Sequence, residues 1–278
     1  MLYWGCFINR RRMQKEIMKI LLFDIETAPM LSNVWSLWTE IKSMKMVEKD
    51  WYVLTWSAKW LGESSRKNIT KALPDYPNYK KNKEDDGALL KDMWQLLDEA
   101  DVVIGHNAQK FDVKKLNARF LINGMFPPSP YRMIDTLKAA KAHFAFSSNK
   151  LDSLGEILGL GRKVDTGGFE LWRGCMNGNK KSWKKMCTYN KQDVELLEKV
   201  YLKLRPFIKN HPNISLDGNN DDKQCPACGS SKMNKRGYAY TNTSKYQRLQ
   251  CASCGKWCRE RSNLKDKVNR PNITGNIM

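Results

Sequence analysis

Five residues whose side chains could bind a metal or hold a water are spread over three segments of the chain. Asp24 and Glu26 follow an apolar run, Asp112 lies mid-chain, and Tyr189 precedes Asp193 by four positions. Alternate residues of a strand point to the same side, so the first two carboxylates would repel each other unless a cation lay between them. Hard oxygen ligands suit Mg²⁺ or Mn²⁺, which also bind substrate phosphate oxygens. The pattern predicts a two-metal site for phosphodiester hydrolysis.

Helical spacing places Tyr189 and Asp193 on one face. The Tyr189 hydroxyl could then hold a water whose pKa a bound metal lowers. The alternative is a core tyrosine beside a surface aspartate. Asp112 also has an alternative, since Asp often caps a helix. Its place after the apolar strand at 102–104 favours a position facing the first carboxylate pair, at the edge where strands end and helices begin.

Four cysteines near the C-terminus have the spacing of a zinc ribbon. Cys225 and Cys228 form one Cys-x-x-Cys unit, Cys251 and Cys254 form another, and each unit is followed by Gly. Four thiolates can hold Zn²⁺ tetrahedrally, and so short a segment has too little core to fold without a metal. We therefore expect one structural Zn²⁺, with Cys258 as a less favoured rival ligand. Disulfides would need an oxidising compartment, which nothing in the sequence indicates.

The segments that carry the carboxylates read as strands alternating with helices, which predicts an α/β core. Predicted strands cover 19–23, 51–60, 102–104 and 131–134; predicted helices cover 85–100 and 151–158 and begin at 112, at 135 and near 189. Asp135 is expected to cap its helix rather than bind metal. The glycine-rich loop through Gly167 and Gly168 is interpreted as flexible structure near the substrate path.

Composition and charge favour a nucleic-acid partner. The 278 residues are 41% hydrophobic, enough for one sizeable core plus a small appendix, and the formal net charge is +19. Such a charge predicts a polyanionic partner and salt-dependent binding. No apolar run approaches the ~20 residues of a membrane helix, and the order of apolar and basic residues at the N-terminus is wrong for a signal peptide. We therefore expect a cytoplasmic protein without membrane contact, whose functional start is Met1 or Met18.

The C-terminal region is especially basic. Residues 223–278 contain twelve Lys or Arg against two Asp or Glu. Aromatic rings there could stack on bases and cations could bind phosphates, so the ribbon is predicted to grip nucleic acid; the alternative is a solvated basic face used for solubility or a protein partner. The aromatic candidates are Tyr238, Tyr240, Tyr246 and Trp257, and the basic candidates are Lys235, Arg236, Arg248 and Arg259.

Three sequence segments resemble the exonuclease motifs of the DEDD superfamily, which has an RNase H-like fold. They are LLFDIETAP, IGHNAQKFDVKKLNARF and YNKQDVELL, within roughly residues 18–210. One branch of that superfamily has a histidine five residues before the last aspartate, where this chain has Thr188. The tyrosine at 189 is similar to the other branch, which includes the proofreading domains of B-family DNA polymerases. The segment NKLDSLGEILGL is also similar to those domains.

The resemblance implies an RNase H-like mixed sheet flanked by helices over 18–210. Composition and cysteine spacing predict a linker at 211–224, a zinc ribbon at 225–262 and a basic tail at 263–278. The resemblance also implies hydrolysis of single-stranded DNA from the 3′ end to 5′-mononucleotides, in replication, repair or proofreading. Two Mg²⁺ or Mn²⁺ ions would be held by Asp24, Glu26, Asp112 and Asp193, with Tyr189 orienting the attacking water.

By analogy, Thr27 and Asn107 would contact the terminal nucleotide. The remaining chain has no room for polymerase palm or fingers, so we expect a stand-alone exonuclease of the kind often encoded by phages, acting in the host cytoplasm. A replication polymerase is a candidate partner.

Other functions remain open at this point. A 3′→5′ exoribonuclease would use the same metal chemistry, which ignores the 2′-hydroxyl unless a contact reads it. A non-enzymatic DNA-binding protein would need only the ribbon and the charge. A RuvC-like transposon nuclease also joins the two domain types, but its ribbon usually precedes the last carboxylate, whereas here it follows Asp193.

Overall fold

The computed structural model describes residues 18–38, 40, 43–162, 167–217 and 223–265. The N-terminal arm at 1–17, most of the predicted basic tail and the second part of the predicted linker lie outside the described residues. None of the helices in these ranges has the length and apolar character that a membrane crossing requires.

Five strands precede the first helix, helices and strands then alternate as far as the third helix, three more helices follow, and the last described elements are strands. In chain order these strands and helices are β1 (Ile20–Thr27), β2 (Leu31–Ser32), β3 (Val47–Lys49), β4 (Val53–Trp60), β5 (Ile69–Ala72), α1 (Gly87–Glu99), β6 (Val102–Gly105), α2 (Asp112–Ile122), β7 (Arg132–Asp135), α3 (Thr136–His143), α4 (Leu151–Ile157), α5 (Glu170–Met176), α6 (Lys180–Leu204), β8 (Met233–Tyr240), β9 (Lys245–Cys251) and β10 (Trp257–Asn263).

Five strands form a mixed sheet in the order β5-β4-β1-β6-β7. β1 pairs antiparallel with β4 and parallel with β6, and β6 pairs parallel with β7. The predicted RNase H-like α/β fold is thereby confirmed. β1 is longer than the predicted strand and includes both Asp24 and Glu26, which lie opposite Ser57 and Thr55 of β4.

Alternation along β1 determines which side of the sheet the carboxylates reach. Leu21, Phe23 and Ile25 belong to a buried cluster that includes residues of α1 and α2. Ile20 and Leu22 belong to the cluster on the other face, together with residues of α3, α4 and α6. Because Asp24 and Glu26 continue the even-numbered series, they point to the face that α6 covers.

The last core helix begins earlier than the sequence pattern predicted. α6 starts at Lys180, where Asn179 caps it by accepting hydrogen bonds from the N–H groups of Lys181 and Ser182. Trp183 and Met186 are buried and extend the apolar face by two turns. The prediction missed this part because lysines surround those two residues and conceal the helical period. Tyr189 therefore lies inside a 25-residue helix, not at its start.

Buried ion pairs fix the helices against the sheet. Lys59 of β4 pairs with Glu198 of α6, and both are largely buried. Asp86 has 0% exposure and accepts two hydrogen bonds from the Arg119 guanidinium, at 2.8 and 2.6 Å. Asp86 also accepts one from the Val53 N–H at 2.9 Å. Such a bidentate pair restricts α2 relative to β4, and so positions Asp112 at the start of α2.

The C-terminal strands form a separate three-stranded sheet in the order β10-β9-β8, with a small cluster that contains Cys225 and Cys251. Contacts join this sheet to the end of α6. The Lys256 ammonium donates to the Ile208 carbonyl oxygen at 2.7 Å, and the Ile214 N–H donates to that of Pro226 at 3.0 Å. The first part of the predicted linker is therefore packed: His211 stacks on Tyr201 and hydrogen-bonds its hydroxyl at 2.6 Å.

Candidate active site

Three carboxylates from two elements converge on one point. Asp24 and Glu26 reach it from β1, and Asp193 reaches it from the buried face of α6. One oxygen from each lies within 4.8 Å of the others. The structure thus brings together two segments that are more than 160 residues apart in sequence.

The geometry of this cluster suits a divalent cation. Three carboxylates so close together repel strongly, and Asp193 is only 2% exposed, so water screens little of that repulsion. Opposite ligand oxygens around Mg²⁺ are about 4.2 Å apart, since each bond is about 2.1 Å long. The three oxygens all lie within 4.8 Å of one another, a limit that includes this distance. The acidic cluster could therefore hold a metal ion.

Asn190 is a site residue that sequence reasoning missed. Its amide Nδ2 donates to Asp24 Oδ2 at 2.7 Å, and its side chain has 0% exposure. Among the described atoms its Oδ1 has no hydrogen-bond partner. The amide fixes the orientation of the Asp24 carboxylate, so Asn190 is a positioning residue. Its position three before Asp193, on the same helical face, was the available signal.

Asp112 lies at the start of α2 and is 4% exposed. It does not act as the helix cap, since Phe111 holds that position and makes no side-chain cap bond. Instead Asp112 Oδ1 accepts a hydrogen bond at 3.2 Å from the N–H of Ile25, which lies between the two carboxylates of β1. Asp112 is thus adjacent to the cluster through the strand backbone, but it is not one of the three mutually close carboxylates.

Burial has a measurable consequence at Asp112. It raises the pKa of this carboxyl from 3.8 to about 6, against the opposing effect of the Ile25 N–H. The folded protein without divalent ions therefore binds more protons than the unfolded chain between these two pH values. Its free energy of unfolding should fall by about 3 kcal/mol as pH rises through that window.

The measurement is thermal or urea unfolding from pH 4 to 7.5 without added divalent ions, in wild type and in Asp112→Asn. The variant cannot ionise at this position, so the difference between the two stability curves isolates Asp112. A difference that stays constant with pH would contradict the raised pKa.

Asp135 caps α3, as predicted, by accepting from the N–H groups of Leu137 and Lys138. It also accepts from the N–H of Asn107 at 3.0 Å, which holds the loop before α2. Asn107 has a positive φ of 63°, a conformation that Asn tolerates better than most residues. Asn107 lines a cavity of about 670 Å³ with His106 and Lys141.

Thr27 lines a different cavity, an open cleft of about 510 Å³. Its wall is largely aromatic and includes Trp51, Phe111, Phe169 and Trp172, with Lys115 beside them. Thr27 follows Glu26, and Phe111 precedes Asp112, so the cleft opens next to the carboxylates. The Lys115 ammonium lies 3.8 Å from the centre of the Trp51 ring, and burial lowers its pKa.

Tyr189 of α6 contacts a residue in the wall of this cleft. It is partly buried, and its ring packs edge-on against Trp172 with centroids 6.3 Å apart. Thr188, where the other branch of the superfamily has a histidine, is exposed and bonds its hydroxyl to the Lys184 carbonyl. Of these two neighbours, Tyr189 is the one in contact with the cleft wall.

The second metal-binding candidate is the group of Cys225, Cys228, Cys251 and Cys254, whose sulfur atoms lie within 4.8 Å of one another. Two of the sulfur–sulfur distances are 3.6 Å. Tetrahedral Zn²⁺ with bonds of about 2.3 Å requires about 3.8 Å between sulfurs, so the arrangement fits zinc. The structure also describes Cys258, the rival ligand, but its sulfur does not belong to this group of four.

Both cysteine pairs have the same backbone turn. The Gly229 N–H donates to the Cys225 carbonyl at 2.9 Å, and the Gly255 N–H donates to that of Cys251 at 3.0 Å. Gly229 and Gly255 have φ of 71° and 80°, which few other residues adopt readily. Burial opposes ionisation of Cys251, but N–H groups of Cys254 and Ser253 and neighbouring thiols prevail and lower its pKa to about 7. The turn therefore favours the thiolate at Cys251, whereas burial raises the pKa of Cys225 and of Cys228.

Comparison with known proteins agrees with this architecture. The 17%-identical family B DNA polymerase from the hyperthermophilic archaeon Pyrobaculum calidifontis superposes with a TM-score of 0.50 over 72% of this chain and 25% of the polymerase chain. The present chain therefore spans about a quarter of the polymerase, and the likeness shows the fold. A comparison with curated protein sequences finds no match.

A sequence profile of the RNase H superfamily matches residues 62–205. The matched range includes Asp112, Tyr189 and Asp193, whereas Asp24 and Glu26 precede it and are joined to it by the fold. Because the match covers more than half of the sequence, the chain belongs to the RNase H superfamily.

Proposed function

We propose that the chain is a metal-dependent 3′→5′ exonuclease that hydrolyses single-stranded DNA to 5′-mononucleotides. RNase H superfamily membership and the likeness to a B-family polymerase support nuclease activity on nucleic acid. The observation that carries the finer proposal is the convergence of Asp24, Glu26 and Asp193 beside an aromatic cleft. A role in replication, repair or proofreading, with a replication polymerase as partner, extends the same proposal.

The carboxylates would hold two Mg²⁺ or Mn²⁺ ions, with Asp112 as the fourth ligand residue. When bound, the ions lower the pKa of the attacking water and neutralise charge on the reacting phosphate and leaving oxygen. The protein holds the carboxylates in fixed positions. Asn190 fixes Asp24 by the 2.7 Å hydrogen bond, and the Ile25 N–H holds Asp112 next to β1. Preorganised groups of this kind need no reorganisation during the reaction.

Tyr189 would orient the attacking water through its hydroxyl. Two features support this role: Tyr189 lies one helical turn before Asp193, and its ring rests against Trp172 in the cleft wall. The packing limits the positions that the hydroxyl can take. Since Tyr189 binds no metal in this proposal, it affects the orientation of the water rather than the presence of the ions.

The aromatic cleft would receive the last nucleotide of the strand. Phe111 is 42% exposed and, with Trp51, offers apolar surface for a base, while the Lys115 ammonium lies nearby for a phosphate. Thr27 in the wall would contact the same nucleotide. Asn107 lines the other cavity, so its proposed contact requires the bound strand to reach that cavity as well.

The test is a panel of end-labelled single- and double-stranded DNA and RNA, incubated with Mg²⁺, followed by sizing of the products. We expect 5′-mononucleotides released from the 3′ end of single-stranded DNA. Shortening from the 5′ end, or internal cuts only, would contradict the proposal. Faster degradation of RNA than of DNA would identify an exoribonuclease instead, and binding without any cleavage would favour the non-enzymatic DNA-binding alternative.

A further inference from the structure

The outer face of the C-terminal sheet is defined by its register. In the β9–β10 pair, Arg248 lies directly opposite Arg259, and Gln250 lies opposite Trp257. Residues that face each other across an antiparallel pair share one side of the sheet, as do alternate residues of a strand. Arg248, Arg259, Trp257 and Tyr246 therefore lie on the same side, which we call the arginine face.

The opposite side of this sheet belongs to the cysteine cluster. Leu249 lies opposite Cys258 in one pair and opposite Lys235 in the other, and it is buried. Cys251 follows two positions later on the same side and is also buried. The arginine face thus points away from the small core of the ribbon and presents Arg248, Arg259 and Trp257 as exposed side chains.

Each arginine of this face lies over an aromatic ring. The Arg259 guanidinium carbon is 3.7 Å from the centre of the Tyr246 ring, and that of Arg248 is 5.1 Å from the centre of the Trp257 ring. Arg248 and Arg259 lie opposite each other on neighbouring strands, and each contacts the ring that lies diagonally across from it on the other strand. Arg248 also donates to the Arg236 carbonyl at 2.8 Å. The cations are therefore ordered, and rings and guanidinium groups alternate across the face.

Charge on this face lacks compensation from the ribbon itself. Like charges directly opposite each other in a sheet are unfavourable. Glu260 is the one acidic residue among the described positions 223–265, and it follows Arg259, so it points to the other side. There it forms an ion pair with Lys223 at 2.6 Å. An anion bound between Arg248 and Arg259 would remove their repulsion.

We propose that the arginine face binds single-stranded nucleic acid, with a backbone phosphate between Arg248 and Arg259 and bases stacked on Tyr246 and Trp257. A phosphodiester supplies the anion, and the guanidinium fork suits its oxygens. Single-strand binding characteristically combines a cationic track with rings on which bases stack. An acidic peptide would satisfy the arginines but would leave the 49%-exposed Trp257 ring without a matching group.

This binding site is separate from the acidic cluster and does not rest on the proposed nuclease activity. It adds a second point of attachment for a strand. When a strand is bound at one site, its local concentration at the linked second site rises. Binding at the arginine face would therefore increase affinity for long substrates without altering cleavage of short ones.

The test measures binding of a fluorescent circular single-stranded DNA to the full chain at about 0.1 M salt without added Mg²⁺. A circle has no 3′ end, so the result does not depend on exonuclease activity. We expect the double variant Arg248→Gln/Arg259→Gln to weaken binding at least tenfold and to reduce the slope of log K against log salt concentration by about 0.7, the value for one neutralised phosphate of a single strand. Trp257→Ala should weaken binding about fivefold or more.

The matched control is Lys232→Gln/Lys265→Gln, which removes the same charge from two exposed positions that lie outside the three strands of this sheet. It should change affinity by less than about threefold. An equal zinc content in all variants verifies that the ribbon is folded. Equal weakening by the two double variants, no weakening by the arginine variant, or competition by poly-glutamate as effective as that by DNA would overturn the proposal.

Cleavage of a small chromogenic ester, thymidine 5′-monophosphate p-nitrophenyl ester, in Mg²⁺ separates this proposal from the proposed function. The ester is too small to span both sites, so the arginine variant should hydrolyse it at the wild-type rate. Loss of DNA binding with unchanged ester hydrolysis supports the arginine face, whereas an inactive wild-type protein that still binds the circle would refute only the nuclease.

Discussion

Asp193→Asn should reduce cleavage of single-stranded DNA by roughly 10³-fold or more. Asp193 is the carboxylate of the cluster that comes from α6, and it is almost completely buried. In the proposed site its replacement removes a negative metal ligand where water cannot substitute well, and several kcal/mol of charge stabilisation correspond to this loss in rate. The measurement is single-turnover release of mononucleotides from a 3′-labelled oligonucleotide in Mg²⁺.

Two variants on the same helix serve as comparison. Glu195→Gln makes the same chemical change outside the cluster and should leave the rate within about twofold.

Tyr189→Phe removes a hydroxyl that orients water, so its effect should be smaller than that of Asp193→Asn, about 10- to 100-fold, with metal affinity unchanged. Full activity of Asp193→Asn would refute the metal site, and a wild-type rate in Tyr189→Phe would refute the role given to that hydroxyl.

Local patterns were sufficient to predict which sides of β1 and α6 carry their carboxylates. The two-residue period of a strand placed Asp24 and Glu26 side by side, and the structure adds that they share the side of Leu22, which α6 covers. Helical spacing likewise placed Asp193 on the buried face. The sides that these carboxylates occupy could be predicted because each depends on one periodic element and on one buried side.

Features built by several segments could not be predicted in the same way. The cleft wall combines Thr27, Trp51, Phe111 and Trp172, which come from four parts of the chain. The antiparallel pairing of β1 with β4 brings Thr27 close to Trp51, and the packing of α5 on α6 and the position of α2 add Trp172 and Phe111. Asn190 was missed for another reason: its place three residues before Asp193 put it on the right helical face, but its role depends on Asp24, whose position in space the sequence pattern does not give.

α6 connects the acidic cluster with the cysteine cluster. Asn190 and Asp193 lie near its middle, and Tyr201 lies near its end. Burial raises the pKa of Tyr201 to about 12, and the thiols of Cys228 and Cys254 are close enough to add to this effect. His211 accepts the Tyr201 hydroxyl hydrogen through Nε2 when its Nδ1–H donates to the Pro212 carbonyl at 2.7 Å. The ribbon is therefore attached to the helix that carries the site, but not to the site itself.

Replacing Cys225 and Cys228 together by Ser should release the proposed zinc and unfold the C-terminal sheet. The apolar cluster of this sheet consists largely of the cysteines themselves. Structural zinc typically supplies about 10–16 kcal/mol of binding free energy, and with two of four thiolates lost this contribution disappears. We expect no bound zinc by metal analysis, rapid proteolysis of the C-terminal region, and at least tenfold weaker binding of single-stranded DNA.

The control for this variant is Cys258→Ser, which removes a nearby thiol outside the group of four. It should retain one zinc per chain, and loss of zinc from it would assign Cys258 as a ligand. Because the acidic cluster lies on β1 and the middle of α6, hydrolysis of the small chromogenic ester should persist when the ribbon is unfolded. If the double serine variant kept its zinc and its protease resistance, the four cysteines would not be the metal site that their 3.6 Å sulfur distances indicate.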